Sequence, residues 1–273
     1  MNIRLKLLLG LLLFSTLAFG LYLLPRSVVS KGLTEKKPET ISDAAPQSES
    51  LHTISPEFAE EIQKIRSEIG GNASSAGKAR GYVELAGVFV KASQFDSAAY
   101  SYEQAMNLDA SLQLGFETGS ALFESLAFIP SASKLEENAG RARKYLESVP
   151  ASDQHFAEAQ AKAALTWVNS ASPMKGILKL RELSESFPEN RFIAFQLGLL
   201  SYQSGQYEKA VDRFKKVLSL DTRDSSSRYY LASSLLQLGK KAEALSEANT
   251  GLKQAGDMEM KASFEDLIKQ IEK

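Results

Sequence analysis

The 273-residue chain has the composition of a globular protein, with 44% hydrophobic and 24% charged residues and a formal net charge of -1. This balance argues against nucleic acid as the main partner, because phosphate binding needs a concentrated excess of lysine and arginine. The absence of cysteine excludes disulfides, thiol nucleophiles and most structural zinc sites, and only two histidines remain for acid-base or metal chemistry.

Residues 1–24 differ from the rest of the chain. After MNIRLK, residues 7–24 (LLLGLLLFSTLAFGLYLL) carry no charge, and a helix of this length would measure roughly 27 Å, close to the ~30 Å hydrocarbon core of a bilayer. The run is longer than the apolar region of a cleavable signal peptide, and its best cleavage sites lie inside it. We therefore expect an uncleaved single-pass membrane anchor; the alternative is a cleaved signal and a secreted or periplasmic protein. Arg4 and Lys6 predict that the C-terminal domain faces outward, into the periplasm of a Gram-negative cell.

Residues 25–54 contain three prolines and many small polar residues without apolar periodicity, which predicts a flexible linker. Residues 55–76 are predicted to form a leading amphipathic helix that ends near Gly70 and Gly71. Its apolar side chains recur at helical spacing and form a single stripe, which consists of Phe58, Ile62, Ile65 and Ile69.

Downstream, short helical segments alternate with turns, and one pattern recurs. The stretch LGLLSYQSGQYEKAVDRF, residues 197–214, has counterparts at a spacing of 34 residues. Small residues and a turn glycine return at the same places: Gly198 as Ala232, Ala210 as Ala244, and Gly205 as Gly239.

This period and its small and aromatic positions resemble the tetratricopeptide repeat (TPR) family. The resemblance implies an all-α fold, a right-handed superhelix of helix-turn-helix repeats (a TPR solenoid), here behind an N-terminal transmembrane helix. We divide residues 79–258 into five TPR-like repeats, and residues 259–273 are predicted to form a C-terminal capping helix. The repeats are 79–112, 113–156, 157–190, 191–224 and 225–258. The second is degenerate, and we place its extra length near LAFIPSASKLEENAG.

Steric considerations assign the recurring residues to packing. Two helices approach closely only where side chains are short, so the small positions mark helix crossings. Large side chains are predicted to fill the gaps between repeats; these are Phe89, Tyr102, Trp167 and Phe214.

In TPR proteins, inward-pointing residues of the first helix of each repeat line a concave groove that contacts a peptide of the partner. Carried onto this sequence, the resemblance predicts a groove of Phe192, Phe195, Gln196, Leu199, Tyr202, Gln203, Tyr229, Tyr230, Ser233 and Gln237, together with Lys162 and Asn169. A packing role for Phe195, Tyr202 and Tyr229 remains the alternative. The family expects an aromatic residue at position 201, where this chain has Ser201. Tyr202 comes one place later, about 100° around the helix, and is expected to face the groove.

The sequence shows no catalytic constellation, metal site or cofactor motif. TPR proteins that hold chaperone tails use a basic, Asn-containing clamp, but the corresponding places here hold Val83, Gly87, Glu117 and Thr118, so that activity is not supported. We predict a membrane-anchored, non-enzymatic scaffold that binds a protein or peptide partner in envelope assembly, secretion or complex maturation. The alternative is a self-associating structural module that forms homo-oligomers at the membrane through the stripe of the leading helix or the capping helix.

Overall fold

The computed structural model describes residues 54–72, 74–168 and 170–273. Every regular element in these ranges is helical. The predicted anchor at residues 7–24, and the linker as far as residue 53, lie outside the described residues. Among the helices that are described, none combines the length and the apolar character that crossing a membrane requires.

Twelve α-helices and one short 3₁₀ helix follow one another in the described ranges. They are α1 (Pro56–Gly71), α2 (Ser75–Lys91), α3 (Phe95–Leu108), α4 (Gly115–Ser125), the 3₁₀ helix (Leu126–Phe128), α5 (Ala132–Glu147), α6 (Phe156–Val168), α7 (Pro173–Ser186), α8 (Arg191–Gln203), α9 (Tyr207–Leu220), α10 (Ser225–Gln237), α11 (Lys241–Gln254) and α12 (Met258–Glu272). α2 begins within the segment predicted as the leading helix, because the Ser74 side chain accepts a hydrogen bond from the Gly77 amide at 3.0 Å and caps it.

Each helix packs against its neighbours in the chain, and from α4 onward each even-numbered helix also contacts the next even-numbered one. α4 contacts α6, α6 contacts α8, α8 contacts α10, and α10 contacts α12. We call α4, α6, α8, α10 and α12 the first-helix layer, and α3, α5, α7, α9 and α11 the second-helix layer. This two-layer stack is a helix-repeat solenoid, as the recurrence predicted.

Small residues lie at the helix crossings, which confirms the predicted packing. Ala210, Ala232 and Ala244 are completely buried. A Cβ at Gly198 would lie 2.7 Å from the ring of Phe214, so only glycine allows α8 to approach α9 this closely. Phe214 itself has no exposed surface.

The turns between paired helices repeat as well. Gly205 and Gly239 have φ angles of +72° and +73°, in the left-handed region that glycine adopts without steric cost. The residue after each glycine donates its amide to a carbonyl five residues back, Gln206 to Ser201 at 2.8 Å and Lys240 to Leu235 at 2.9 Å. Ser93 has the same role between α2 and α3 with φ +56°, and is the one non-glycine residue at positive φ in the described ranges.

The degenerate repeat gains its length at two places. α4 ends at Ser125 and is followed by the 3₁₀ helix, and α5 begins at Ala132, inside the stretch where the extra length was predicted. The connection from α5 to α6, residues 148–155, is also long, and no sequence signal indicated it.

Both terminal stripes are covered within the chain. In α1, Ile62 and Ile65 are buried against α2 and its neighbours, and Phe58 and Ile69 pack beside them. In α12, Phe264 and Ile271 are buried against α10 and α11. These helices therefore cap the two ends of the described stack.

Candidate interaction surface

Four aromatic side chains predicted for the groove come together across α8 and α10. Tyr230 is at the centre, and its ring centroid lies 6.2 Å from Phe195, 5.4 Å from Tyr202 and 5.6 Å from Tyr229. All four are partly exposed. We call Phe195, Tyr202, Tyr229 and Tyr230 the aromatic wall.

The aromatic wall rests on the buried core. Phe214 stacks on Tyr230 with centroids 5.6 Å apart and also meets the edge of Phe195 at 5.9 Å. Tyr229 contacts the buried Phe264 of α12 at 5.8 Å. Each ring thus has one side fixed by packing and another open to solvent, so both roles considered for these residues, packing and exposure, apply to the same side chains.

Tyr202 belongs to the wall because Ser201, one residue earlier, takes the buried position. Ser201 is 2% exposed, and Arg213 donates hydrogen bonds to its Oγ and, at 2.7 Å, to the Leu197 carbonyl. Arg213 therefore fills the space where the repeat pattern has an aromatic ring. Tyr207 was not predicted for this surface, but its ring centroid is 5.7 Å from that of Tyr202.

The environment of Tyr202 favours the neutral phenol. Burial, followed by the neighbouring Tyr207, Tyr229 and Tyr230, raises the pKa of Tyr202 above its ordinary value of 10.0, while a hydrogen bond with Ser233 opposes the shift. At neutral pH the wall therefore carries no charge from this residue.

Uncharged side chains surround the wall, and three of them are glutamines. Gln203 and Gln237 are exposed, while Gln196 and Leu199 are partly buried. Within the described part of the chain, the three glutamine amides make no hydrogen bond, so each retains both donor and acceptor capacity. The charged residues of α8 and α10 are Arg191, paired with Asp221, and Arg228, paired with Glu247 at 2.5 Å.

Lys162, predicted for the groove, is instead held inside a charged cluster. Its side chain is only 9% exposed, and its ammonium lies 3.2 Å from Glu158, 3.6 Å from Glu124 and 3.2 Å from the hydroxyl of Ser120. We call these four residues the charged node. Lys162 therefore has no free cation to offer a partner, because a buried ammonium is stable only when carboxylates compensate it, and its place on the groove wall stays a prediction.

Other predicted residues also lie apart from the wall. The Lys162 ammonium lies 5.8 Å from the ring centre of Phe192, within cation-π range, so Phe192 contacts the charged node. Ser233 is 5% exposed and hydrogen-bonds Tyr202, so little of its own surface is open to a ligand. Asn169 lies outside the described residues.

Trp167 lies at the boundary between the predicted repeats 113–156 and 157–190, but its ring contacts cations there instead of filling an apolar gap. It is partly exposed, and the guanidinium carbon of Arg143 and the ammonium of Lys175 lie 3.9 Å and 3.6 Å from its ring centre. Nothing in the sequence pattern indicated this arrangement, because the three residues belong to three different helices.

His155, one of the two histidines, takes part in packing. Its ring stacks on Phe116 with centroids 4.3 Å apart and planes 10° from parallel. In the ranges that the structure describes, no three His, Cys, Asp or Glu side chains are grouped closely enough to hold a metal ion.

The comparisons with known proteins agree with this architecture. A family model described as "Anaphase-promoting complex, cyclosome, subunit 3" matches residues 160–249, which run from α6 into α11. No curated protein matches the chain. Three solved structures are similar in fold. A tetratricopeptide repeat protein from Parabacteroides merdae is 13% identical, with 79% of each chain covered and a TM-score of 0.54. An assembly chaperone of RpL4 is 13% identical over 79% of this chain and 91% of its own, with a TM-score of 0.52.

The third structure is a thermophilic TPR protein from Thermus thermophilus, which is 18% identical over 70% of this chain and 98% of its own, with a TM-score of 0.50. At these identities the likeness concerns the path of the backbone and not the chemistry of particular side chains. The described part of the chain therefore has the fold of the tetratricopeptide repeat solenoids.

Proposed function

We propose that this chain is a non-enzymatic scaffold that binds an extended or helical segment of a partner protein on the aromatic wall and its surrounding amides. The observation that carries this proposal is the contact of four partly exposed rings across α8 and α10, on a surface whose two arginines are already paired. Aromatic rings offer a large contact area at little cost in side-chain entropy, and free amides can hydrogen-bond a peptide backbone.

The fold supports the same function. TPR proteins are generally protein-interaction scaffolds, and one of the similar structures is called an assembly chaperone. By analogy of fold, the wall would lie on the concave side of the solenoid, where a peptide is enclosed by successive first helices.

The proposal extends to the membrane. Residues 7–24 would anchor the chain, with residues 55–273 outward, and the linker would span about 30 Å on average as a random coil. A scaffold held in this way would act in envelope assembly, secretion or complex maturation, in the periplasm if the cell is Gram-negative.

The self-association alternative relies on the terminal helices. Ile62 and Ile65 of α1 and Phe264, Leu267 and Ile271 of α12 are buried within the chain, which weighs against that alternative. Light scattering of the full-length protein in non-ionic detergent, over a range of concentrations, tests what remains of it. A single mass of one chain per particle is expected.

Photocrosslinking in membranes tests the proposed binding surface. Photoreactive groups are placed, one at a time, at positions 195, 202 and 229, and the captured protein is identified. Alanine substitution of Phe195 or Tyr229 would disturb the buried Phe214 and Phe264, so a sharper variant is Gln203→Lys with Gln237→Lys, because both glutamines are exposed. The matched control is Gln63→Lys, at an exposed position of α1.

We expect one recurring partner from all three positions. Capture should fall roughly tenfold in the double variant, as two like-charged, desolvated groups would be introduced into an uncharged contact. It should be unchanged in the control, with equal thermal stability of all three proteins. Unchanged capture in the double variant would show that the partner does not lie on the wall.

A further inference from the structure

An open cleft lies in the second-helix layer. It has a volume of about 560 Å³ and lies between α5 and α7, with Trp167 at the end of α6. The side chains that give it its chemistry are Arg143, Lys144 and Glu147 of α5, Trp167, and Lys175 of α7.

Trp167 is the fixed element of this cleft. Arg143, which is 9% exposed, lies over its ring and is held by Glu136 at 2.7 Å and by the Thr166 hydroxyl at 3.1 Å. The Lys175 ammonium contacts the same ring, 3.6 Å from its centre. Because a cation over an indole face is stabilised by the ring quadrupole, the ring and both cations are ordered before any ligand arrives.

Positive charge at the mouth of the cleft is incompletely compensated. Lys144 and Lys175 are exposed and form no ion pair with any described residue. Glu136 is engaged by Arg143, which leaves Glu147 as the acidic side chain of the lining. A carboxylate placed between Lys144 and Lys175 would relieve the repulsion among the three cations.

An apolar strip adjoins the cationic mouth. Met174 and Leu178 are 57% and 52% exposed, and they flank Lys175 on α7. They are four residues apart and therefore share one face of the helix. Large apolar side chains with this exposure, next to an uncompensated lysine, match a ligand that is both acidic and apolar.

We propose that this cleft binds an acidic, extended segment of a partner protein. Carboxylates of the segment pair with Lys144 and Lys175 over the Trp167 ring, and an apolar side chain lies on Met174 and Leu178. The open mouth fits a chain passing through it. Glu147 inside the cleft and the net charge of -1 favour separated carboxylates over the continuous phosphates of a nucleic acid. This site is independent of the aromatic wall.

Fluorescence provides a direct test, because Trp167 is the only tryptophan of the chain. The full-length protein in non-ionic detergent is titrated with a synthetic peptide of alternating glutamate and leucine, and with the same peptide carrying glutamine for glutamate. We expect a saturable change in emission with the glutamate peptide and binding at least about tenfold weaker with the glutamine peptide, corresponding to two lost charge contacts. Equal binding of the two peptides, or no change in emission with either, would overturn the proposal.

Variants locate the binding. Lys144→Ala with Lys175→Ala should weaken binding of the glutamate peptide roughly tenfold. Lys175→Arg should retain the affinity, because the positive charge and its stacking on Trp167 remain. The matched control is Lys215→Ala with Lys241→Ala, two exposed lysines of the second-helix layer. Since removal of Lys175 itself changes the surroundings of Trp167, calorimetric titration accompanies the fluorescence, and thermal unfolding confirms the fold. An equal loss of affinity in the control variant would show unspecific attraction and reject the cleft.

Two further outcomes would replace the proposed occupant. Tighter binding of a short single-stranded DNA than of the glutamate peptide would indicate a nucleic-acid site. A gain in peptide affinity when Glu39, Asp43 and Glu49 are replaced by their amides would show that the chain's own linker competes for the cleft. Either result contradicts a partner protein as the ligand.

Discussion

Two stretches of the first-helix layer pack neighbouring helices together with opposite chemistry. Between α4 and α6, the charged node surrounds a lysine that is almost fully buried, with two carboxylates and a hydroxyl within 3.6 Å. Between α8 and α10, the aromatic wall is uncharged, and its rings remain partly exposed. Both stretches hold neighbouring repeats together.

The two stretches differ in the side-chain surface that remains available to a ligand. Polar groups of the charged node satisfy one another, so a partner that used Lys162 would first have to separate it from Glu124 and Glu158. Rings packed on one side and exposed on the other keep their contact surface without that cost. We therefore expect the stretch with fewer charges to be the better binding surface, although charge is the more conspicuous signal in a sequence.

The largest expected effect is on the core beneath the wall. Phe214→Ala removes a fully buried ring that contacts both Phe195 and Tyr230, and it should lower the free energy of unfolding by about 3 to 5 kcal/mol. Urea denaturation measures this. Met258→Ala, at a position that is 80% exposed, is the control and should change stability by less than about 0.5 kcal/mol. A loss below about 1 kcal/mol for Phe214→Ala would mean that the wall does not rest on this ring.

A smaller effect is expected at the charged node. Lys162→Met leaves Glu124 and Glu158 without their cation, and because both carboxylates are partly exposed we expect about 1 to 2 kcal/mol of destabilisation, less than for a fully buried pair. Chemical denaturation measures it, with Lys64→Met on the exposed face of α1 as the control. Crosslinking from position 202 should be unaffected. If capture were lost together with stability, the node and the wall would form one site instead of two independent stretches.

Substitutions in the turn after α8 and in the turn after α2 should change the stability of the protein in opposite directions. Gly205→Ala places a side chain at φ +72° and should cost about 1 to 2 kcal/mol. Ser93→Gly, at φ +56°, relieves the same strain in the first repeat and should stabilise the protein by up to about 1 kcal/mol. Thermal unfolding of both variants checks the signs. Destabilisation by Ser93→Gly would show that the serine is retained for an interaction of its own.

The smallest expected effect depends on pH. The pKa of Tyr202 is raised in the folded state, so its contribution to stability is complete below the ordinary value of 10.0 and is lost as the pH rises through the folded pKa. Tyr202→Phe removes this contribution. The stability of the variant relative to the native chain, measured by denaturation on both sides of this pH, should therefore rise in alkaline solution. Parallel pH profiles would show that Tyr202 is not shielded from solvent.

Much of the fold could be predicted from local patterns. The 34-residue recurrence, the small residues at 198, 210, 232 and 244, and the stripes of the terminal helices each depend on periodicity, which a helix converts directly into a face. The aromatic wall was predictable for the same reason, since its four residues belong to two equivalent helices one repeat apart. The extra length in residues 148–155 could not be predicted, because the degenerate repeat lacks the recurring residues that mark where its helices begin and end.

The sequence by itself determined the helices, their pairing and the face that each presents. Only the tertiary structure decided which polar residues on those faces are free. Lys162 finds Glu124 on another helix, Arg213 takes the space left by Ser201, and Arg143 and Lys175 converge on Trp167 from separate helices. Helical periodicity fixes the direction in which a side chain points from the axis of its helix. The partners of that side chain depend on the distance and rotation between helices, which the packing of the whole stack sets.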